Sequence, residues 1–391
     1  MRILFVTLYP LEVNTSVTQS NYGLIDGIIK LGHELTILMP ENNTGSLSLR
    51  ESLRNEKIKI CRIHNENIGS SIAVTAKKAR GLKAKAINIA RNLYKKISIF
   101  DRSKSLLREI RNINGLDIHY DLVVSTSDPV TSHLFVAKLI KDGAITCDKW
   151  IQHWGDPLAS DVSANKIYPN FIIRRIEYSI ISKCDKVVYV SPFTCEDQQN
   201  KYHKLSSKMF FAPLPCITHA PLALNKDNHN GDIRKQICYL GAYYKIYRNI
   251  MPLYNACRGL TDVSLIIAGN TDISLNETEV ISIKPRISQD EASEIEMSSD
   301  IIVSICNKHG TQIPGKIYYV SDLDKPILII LDGEHKDKMK EYFESFDRFF
   351  LCDNNESSIT KAIHQIINTP ARHYQTPKNL LPEVVVAKII D

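Results

Sequence analysis

The chain has 391 residues with a formal net charge of +6; 43% are hydrophobic and 24% charged, a balance that is ordinary for a soluble α/β protein. The length favours two domains. No apolar run reaches the length of a membrane span, and Met1–Val6 is too short for a signal peptide. The nine cysteines are scattered and form no Cys-x-x-Cys pair, which favours reduced thiols and a cytoplasmic protein over disulfides or a zinc site.

The first half of the chain alternates strand-like and helix-like segments. Buried strands are predicted at Arg2–Thr7, Glu34–Met39, Ile58–Ile63, Leu122–Ser125, Trp150–His153 and Lys186–Val190, and Phe210–Ala212 closes this half. Helices are predicted at Leu24–Leu31, Pro129–Ile140, Phe171–Lys183 and from Pro192 to about Tyr202. This alternation predicts βαβ units, and therefore a parallel sheet in a first domain covering residues 1–212.

A long polar loop, Leu8–Ser20, is predicted after the first strand. The carboxyl end of a first parallel strand usually lines a ligand crevice. We therefore expect Asn14, Thr15 and Ser16, in the middle of this loop, to face a substrate.

The segment Lys77–Arg111 is strongly basic, with only Asp101 and Glu109 as acids. Apolar residues recur at close to helical spacing between the lysines and arginines, so an inserted helix is predicted over about residues 76–100. A basic amphipathic helix at Lys77–Phe100 suits an anionic membrane surface, although a solvated helix face is an equally good interpretation. Nucleic acid is a less suitable partner, because no recognition motif accompanies the charge.

The segment Pro213–Gly231 is rich in Pro, Asn and Asp and is predicted to be a linker. A second α/β domain is predicted over residues 232–375, and Ser288 with Glu291 forms a capping box for one of its helices. The tail 376–391 ends in a short apolar helix that we expect to pack on the first half. The predicted strands of the second domain are Ile237–Leu240, Ser264–Ala268, Val280–Ile283, Ile301–Ile305, Ile327–Leu331 and Phe349–Leu351.

The stretch from Gly310 to Ile330 joins two of these strands through a predicted helix that begins near Gly315. Pro314 fits a helix entry, and a glycine lets the backbone approach a ligand. The first N–H groups of that helix, from Gly315, Lys316 and Ile317, suit a phosphate or diphosphate, with Lys316 as a mobile counter-charge. An ordinary βαβ connection with a surface lysine is the alternative.

In order and spacing, several segments resemble the two-domain GT-B glycosyltransferases, especially the large retaining group that builds bacterial surface polysaccharides. These segments are Met1–Tyr9 with Gly32-His33-Glu34, Asp121–Pro129, Trp150–Pro157, Tyr239–Asn249, Ile267–Gly269, Ile313–Ile317 and Lys325-Pro326. The resemblance implies an α/β fold of two Rossmann-like, doubly wound domains facing across a cleft. The second domain would bind the nucleotide-sugar donor.

The resemblance also implies roles for individual residues. Lys245 and Arg248 would neutralise the leaving diphosphate, and Arg286 would lie near the base or ribose. The other implied donor-binding residues are Gly241, His309, Gln312, Ile313, Pro314, Gly315, Lys316 and Tyr319. The chain departs from the family pattern where a glutamate pair is common: His309 and Ile317 occupy those spacings, and Tyr319 stands at a later glutamate position.

In the first half, the resemblance assigns His153 and Asp156 to the catalytic region and Ser127 and Asp128 to the acceptor side. Asp156 would orient the acceptor hydroxyl or accept its proton. Asp156-Pro157 is alternatively a simple helix-entry turn.

The implied function is transfer of a sugar from a UDP-, GDP- or dTDP-linked donor to a lipid-linked or oligosaccharide acceptor, in O-antigen, capsule or exopolysaccharide synthesis. The resemblance suggests a retaining reaction. The protein is expected in the cytoplasm, and peripheral attachment to the inner face of the membrane through Lys77–Phe100 is a hypothesis. No metal or other cofactor is expected, because no Asp-x-Asp pair follows a predicted strand. A sugar-nucleotide 2-epimerase and a non-catalytic protein of the same fold are the alternatives.

Overall fold

A computed structural model describes residues 1–13, 15–42, 49–64, 98–160, 167–217, 234–370 and 372–391. These residues form two compact units, Met1–Pro213 with Pro382–Asp391, and Leu214–Leu381. Residues 77–97 of the predicted basic helix and residues 218–231 of the predicted linker lie outside the described residues. Among the described helices, none is both long and apolar enough to cross a bilayer.

The first unit is built on a parallel sheet. Its strands are β1 (Arg2–Val6), β2 (Glu34–Pro40), β3 (Ile58–Ile63), β4 (His119–Thr126), β5 (Thr146–Trp154), β6 (Lys186–Tyr189) and β7 (Met209–Phe211). They pair in the order β3-β2-β1-β4-β5-β6-β7, and every neighbouring pair is parallel. The strands predicted from apolar runs in this half are all confirmed, with ends that differ by a few residues.

Helices cover both faces of this sheet. They are α1 (Ser16–Lys30), α2 (Thr131–Lys141), α3 (Asn170–Ile181) and α4 (Pro192–Lys201), with 3-10 helices at Glu51–Leu53, Arg102–Asn112 and His203–Lys208. Side chains alternate along β1, so Leu4 and Val6 pack with Phe135 of α2, whereas Ile3 and Phe5 belong to the core under α1.

Helix α1 begins at Ser16, eight residues before its predicted start at Leu24, so the predicted loop Leu8–Ser20 is much shorter than expected. Thr15 caps the helix, since its Oγ1 accepts a hydrogen bond from the Thr18 N–H at 3.2 Å. The first turns bury polar residues rather than apolar ones, and hydrophobic periodicity therefore could not detect them. The buried polar residues are Thr18, Gln19, Ser20 and Asn21.

The second unit contains a second parallel sheet. Its strands are β8 (Lys235–Leu240), β9 (Val263–Ala268), β10 (Ile281–Lys284), β11 (Ile301–Ile305), β12 (Ile327–Leu331) and β13 (Phe350–Asp353). They pair in the order β10-β9-β8-β11-β12-β13, again parallel throughout. Each of the strands predicted for this half is confirmed.

The helices of the second unit are α5 (Met251–Arg258), α6 (Gln289–Ser298), α7 (Lys316–Tyr319), α8 (Lys336–Glu344) and α9 (Glu356–Asn368), with 3-10 helices at Val320–Asp322 and Lys378–Leu380. The capping of α6 by Ser288 is confirmed, because its side chain accepts from the Glu291 N–H at 3.2 Å.

The last helix, α10 (Pro382–Ile390), belongs to the first unit and packs against α1. Val385, Val386 and Ile389 are buried in the same core as α1. The two helices approach so closely at Gly27 that an added Cβ would lie 2.3 Å from the Pro382 carbonyl oxygen and 2.5 Å from Val386 Cγ2.

Replacing Gly27 by alanine should therefore destabilise the first unit by about 1–3 kcal/mol, because backbone must move to admit the methyl group. The free energy of unfolding from urea titration measures this loss. Gly259→Ala is the matched control: a Cβ there would lie 3.6 Å from its nearest neighbour, an ordinary contact. Equal stability of the two variants would contradict the close α1–α10 contact.

Candidate functional site

The carboxyl ends of β8 and β11 form the candidate donor site of the second unit. These strands are neighbours, and the chain runs from β8 through β9 to β10 on one side and from β11 to β12 and β13 on the other. Their boundary is the topological switch point of the sheet. Ligands of open α/β sheets bind at such points, in the crevice outside the carboxyl ends of the strands.

The loop after β8 contains a tight turn that presents two cations. The N–H groups of Tyr247 and Arg248 both donate to the Tyr244 carbonyl, at 3.1 and 3.0 Å. Lys245 lies exposed within this turn, and Arg248 lies half-buried at its end. The Lys245 N–H donates to Asp272 Oδ1 at 3.0 Å, which joins the turn to the loop after β9.

Backbone contact also joins the loops after β8 and β9. The Gly241 N–H donates to the Ala268 carbonyl at 3.0 Å. A Cβ at Gly269 would lie 2.1 Å from the Gly241 carbonyl oxygen, so only glycine allows this approach. Gly241 therefore lies at the strand end where the sequence predicted it.

Arg248 is fixed at the switch point by the loop after β11. Its Nε donates to Asn307 Oδ1 at 2.7 Å, and Asn307 Nδ2 donates to the Gln312 carbonyl at 3.3 Å. The Lys308 N–H donates to the Tyr247 carbonyl at 2.7 Å, a second link between the two loops. The predicted residues Arg248 and Gln312 thus lie in one hydrogen-bonded network. Asn307 was missed, although it is the first polar residue after β11.

A further set of missed residues lies at the ends of β12 and β13. Asn354 Nδ2 donates to Asp332 Oδ2 at 2.7 Å and to the Asn249 carbonyl at 3.0 Å. Gly333 has φ of 80°, and a Cβ there would lie 2.2 Å from the Lys308 carbonyl oxygen. These contacts pack the loop after β12 against the loop that carries Asn307.

The Lys316 ammonium is not a mobile counter-charge, contrary to the prediction. It forms a short ion pair with Glu296 of α6, whose side chain is only 1% exposed. The helix that it opens, α7, has four residues rather than a full helix. The Ile317 N–H donates to the Pro314 carbonyl at 3.2 Å, so that predicted phosphate donor is already engaged.

The remaining donor-side candidates divide into buried and exposed residues. Ile313, Pro314 and Tyr319 are buried. The Tyr319 hydroxyl group lies over Gly315, and a Cβ added at position 315 would lie 2.8 Å from its oxygen. Tyr319 therefore accounts for the glycine at position 315 by packing. His309 and Arg286 are exposed. Arg286 follows the edge strand β10, which β9 separates from the switch point.

In the first unit, the loops after β4 and β5 contact one another. The Gly155 N–H donates to Ser127 Oγ at 3.0 Å, and the Ser127 N–H donates to the His153 carbonyl at 2.9 Å. Ser127 is buried, Asp128 is exposed and Asp156 is half-buried. The structure therefore brings the predicted residues Ser127, His153 and Asp156 together beside the switch point between β1 and β4.

His153 is buried, which contradicts its predicted position on a substrate-facing surface. It is 2% exposed, neither ring nitrogen has a hydrogen-bond partner, and burial lowers its pKa to about 4. Thr126 of the neighbouring strand β4 is the residue paired with His153 of β5. His153 is therefore a neutral imidazole near pH 7.

Glu177 of α3 holds the loop that follows Asp156, and sequence analysis missed it. Its carboxylate accepts hydrogen bonds from the Tyr202 hydroxyl at 2.6 Å and from the Ala159 N–H at 3.3 Å. Burial raises its pKa, and these hydrogen bonds act in the opposite direction. An acidic residue on the apolar side of a predicted helix, in line with Ile173 and Ile180, is the signal that could have identified it.

Of the predicted acceptor-side residues Asn14, Thr15 and Ser16, the two that the structure describes form the start of α1. Thr15 is the N-cap of α1 and Ser16 is the first residue of that helix. Asn14 lies outside the described residues.

One group of potential metal ligands occurs among the described residues, His119 and Asp121 at the amino end of β4 with Asp148 of β5. Asp121 already accepts from the Arg2 N–H at 2.6 Å, and His119 Nε2 lies 3.6 Å from Asp148 Oδ1. This group lies toward the amino ends of β4 and β5, the edge of that sheet opposite to Ser127 and Asp156.

Because His133 and His153 are buried with lowered pKa values, acid should destabilise the first unit. His133, on α2, has its pKa lowered to about 3 by burial and by His153, against an ordinary value of 6.5. The unfolded chain therefore binds protons below about pH 6.5 that the folded chain does not. Each histidine should cost about 1.4 kcal/mol of stability per pH unit as pH falls from about 6 to 4. Urea unfolding at successive pH values measures this slope; His133→Asn should roughly halve it, and a flat profile would contradict it.

Comparison with known proteins places this architecture in a known fold. No protein-family profile and no curated protein sequence matches the chain. Solved structures do match over the whole chain. They include sucrose-phosphate synthase from Thermosynechococcus elongatus (TM-score 0.57, 11% identity, covering 100% of this chain and 95% of the other) and Anabaena HepE in complex with UDP and glucose (TM-score 0.54, 12% identity, 100% and 96%).

The chain has the GT-B fold. A putative UDP-N-acetylglucosamine 2-epimerase from Listeria monocytogenes matches similarly, with a TM-score of 0.51, 11% identity and coverage of 100% and 94%. The GT-B fold thus accounts for the two parallel sheets and their switch points, whereas the chemistry of this GT-B chain must be argued from its own residues.

Proposed function

We propose that the chain is a glycosyltransferase that moves a sugar from a nucleotide-diphosphate donor to a lipid-linked or oligosaccharide acceptor in bacterial surface-polysaccharide assembly. The observation that carries the proposal is Arg248, which Asn307 orients at the switch point of the second sheet. A guanidinium there, beside exposed Lys245 and the Gly241 backbone, suits a diphosphate.

The leaving diphosphate gains negative charge as the glycosidic bond to the donor breaks. Arg248 and Lys245 would stabilise that charge without a metal ion, and activity should therefore survive EDTA. In the first unit, Asp156 would orient the acceptor hydroxyl group or accept its proton, with Glu177 and Ser127 positioning its loop. We propose retention of the anomeric configuration on the basis of the resemblance to the retaining group.

A 2-epimerase is the second candidate, since a putative enzyme of that class is among the structures that match the chain. The two reactions give different products from one donor. An epimerase converts a nucleotide sugar without an acceptor, whereas a transferase releases the nucleoside diphosphate only when an acceptor is present.

A panel of UDP-, GDP- and dTDP-sugars, screened by thermal shift, tests the proposal first. The donor that stabilises the protein is then incubated with and without oligosaccharide acceptors, and products are followed by NMR. We expect acceptor-dependent release of nucleoside diphosphate with a retained anomeric centre. An inverted product or a strict metal requirement would overturn the mechanism, acceptor-independent epimerisation would favour the second candidate, and no nucleotide binding would indicate a non-catalytic protein.

A further inference from the structure

The outward face of helix α3 carries exposed apolar side chains, of which Tyr178 is partly covered by the Tyr202 ring, with centroids 6.0 Å apart. Phe171 is 69% exposed and Tyr178 is 37% exposed, and Ile167, just before the helix, is 62% exposed. Residues 171 and 178 are two turns apart and therefore lie on the same face. The buried side of α3 is formed by Ile173, Glu177, Ile180 and Ile181.

This face is also basic. Arg174 and Arg175 are both exposed and lie between Phe171 and Tyr178, at positions that share their side of the helix. Glu177, the only acidic residue within α3, points inward and is fully buried against Tyr202. The surface of α3 therefore combines aromatic and cationic side chains with no opposing carboxylate from the same helix.

The positive charge of the face continues beyond the end of α3. Lys183 is exposed directly after it, and Lys208 Nζ donates to the Ser182 carbonyl at 3.0 Å, so a second cation is held beside the helix end. The 3-10 helix that ends at Lys208 adds exposed Lys204. An anionic surface lying along α3 would meet these charges together.

We propose that the α3 face, Ile167 with Phe171, Arg174, Arg175 and Tyr178, binds the surface of an anionic lipid bilayer. Arginines beside aromatic residues are typical of helices that lie in the headgroup region, where guanidinium groups reach lipid phosphates and aromatic rings enter the acyl boundary. A helix of twelve residues is about 18 Å long, and one of its faces is too small for the roughly 800 Å² per partner of a stable protein interface. The proposal is independent of the proposed enzyme activity and of the Lys77–Phe100 hypothesis.

Co-sedimentation of the full chain with phosphatidylcholine vesicles, with and without phosphatidylglycerol, tests the proposal. We expect binding that requires the anionic lipid and weakens as salt shortens the screening length. Phe171→Ser with Ile167→Ser, and separately Arg174→Gln with Arg175→Gln, should each lower partitioning at least ten-fold. Ile118→Ser is the matched control, because Ile118 is 79% exposed but precedes β4 and is not part of α3.

Circular dichroism of each variant checks that the fold is retained, and both double variants change only exposed side chains. Unchanged partitioning in both double variants would overturn the proposal, as would failure of the wild-type chain to bind anionic vesicles at low salt. Loss of binding only on reversal of Lys78, Lys85, Lys95 and Lys96 to Glu would assign attachment to the basic segment and also overturn it. Oligomerisation that the Phe171→Ser, Ile167→Ser variant abolishes would identify the face as a protein contact instead.

Discussion

Replacing Arg248 by alanine should lower kcat about 100-fold and change the donor KM much less. Charge on the leaving diphosphate develops in the transition state, so a cation that meets it stabilises that state more than the bound donor. The hydrogen bond from Arg248 Nε to Asn307 Oδ1, 2.7 Å, fixes the guanidinium orientation before the donor binds. Steady-state kinetics with the donor identified by the nucleotide-sugar panel measure the effect.

Arg248→Lys separates charge from orientation, because lysine keeps the positive charge but cannot form the Nε hydrogen bond with Asn307. We expect this variant to recover part of the lost kcat. Asp156→Asn should cost less than Arg248→Ala, since stabilisation of the leaving group lowers most of the barrier. A kcat for Arg248→Ala equal to that of the wild type would remove Arg248 from the proposed mechanism.

Replacing Lys316 by alanine should lower the free energy of unfolding of the second unit by about 3 kcal/mol. Glu296 is 1% exposed, and removal of its cation leaves a buried carboxylate without an ion-pair partner. The double variant Lys316→Met, Glu296→Leu should recover most of the loss, because neither charge remains. Urea unfolding of the single and double variants gives the coupling free energy.

Lys336→Ala is the matched control, since Lys336 pairs with Asp353 at 3.1 Å on the surface, where such pairs contribute at most about 1 kcal/mol. A Lys316→Ala variant that is as stable as the wild type but binds nucleoside diphosphate about ten-fold more weakly would contradict this structural role. It would support the prediction that Lys316 is a mobile counter-charge.

Much of the sheet architecture could be predicted because each buried parallel strand is a short apolar run with polar segments on both sides. The start of α1 could not, since its first turns bury Thr18 and Asn21 rather than apolar residues. The start of α7 was predicted near Gly315 but its short length was not, because Pro314 and Gly315 indicate where a helix begins and not how far it continues.

The candidate site was predicted in part. Gly241, Lys245 and Arg248 directly follow a strand, so their position at the carboxyl edge could be inferred from chain order. The partner of Arg248 is 59 residues away in sequence and that of Lys316 lies on α6, and no local pattern indicates such pairs. The burial of His153 depends on packing by other elements, which a strand-end position does not reveal.

Calorimetric titration with UDP, GDP and dTDP tests the central claim most directly, namely that the switch point of the second sheet binds a nucleoside diphosphate. The wild-type chain should bind one of them, and Arg248→Ala should weaken that binding about ten-fold or more, in line with loss of a charge-assisted hydrogen bond. Arg258→Ala, on the exposed end of α5, should bind as the wild type does. Equal affinity of the Arg248→Ala and wild-type chains, or no binding of any of the three, would contradict the account.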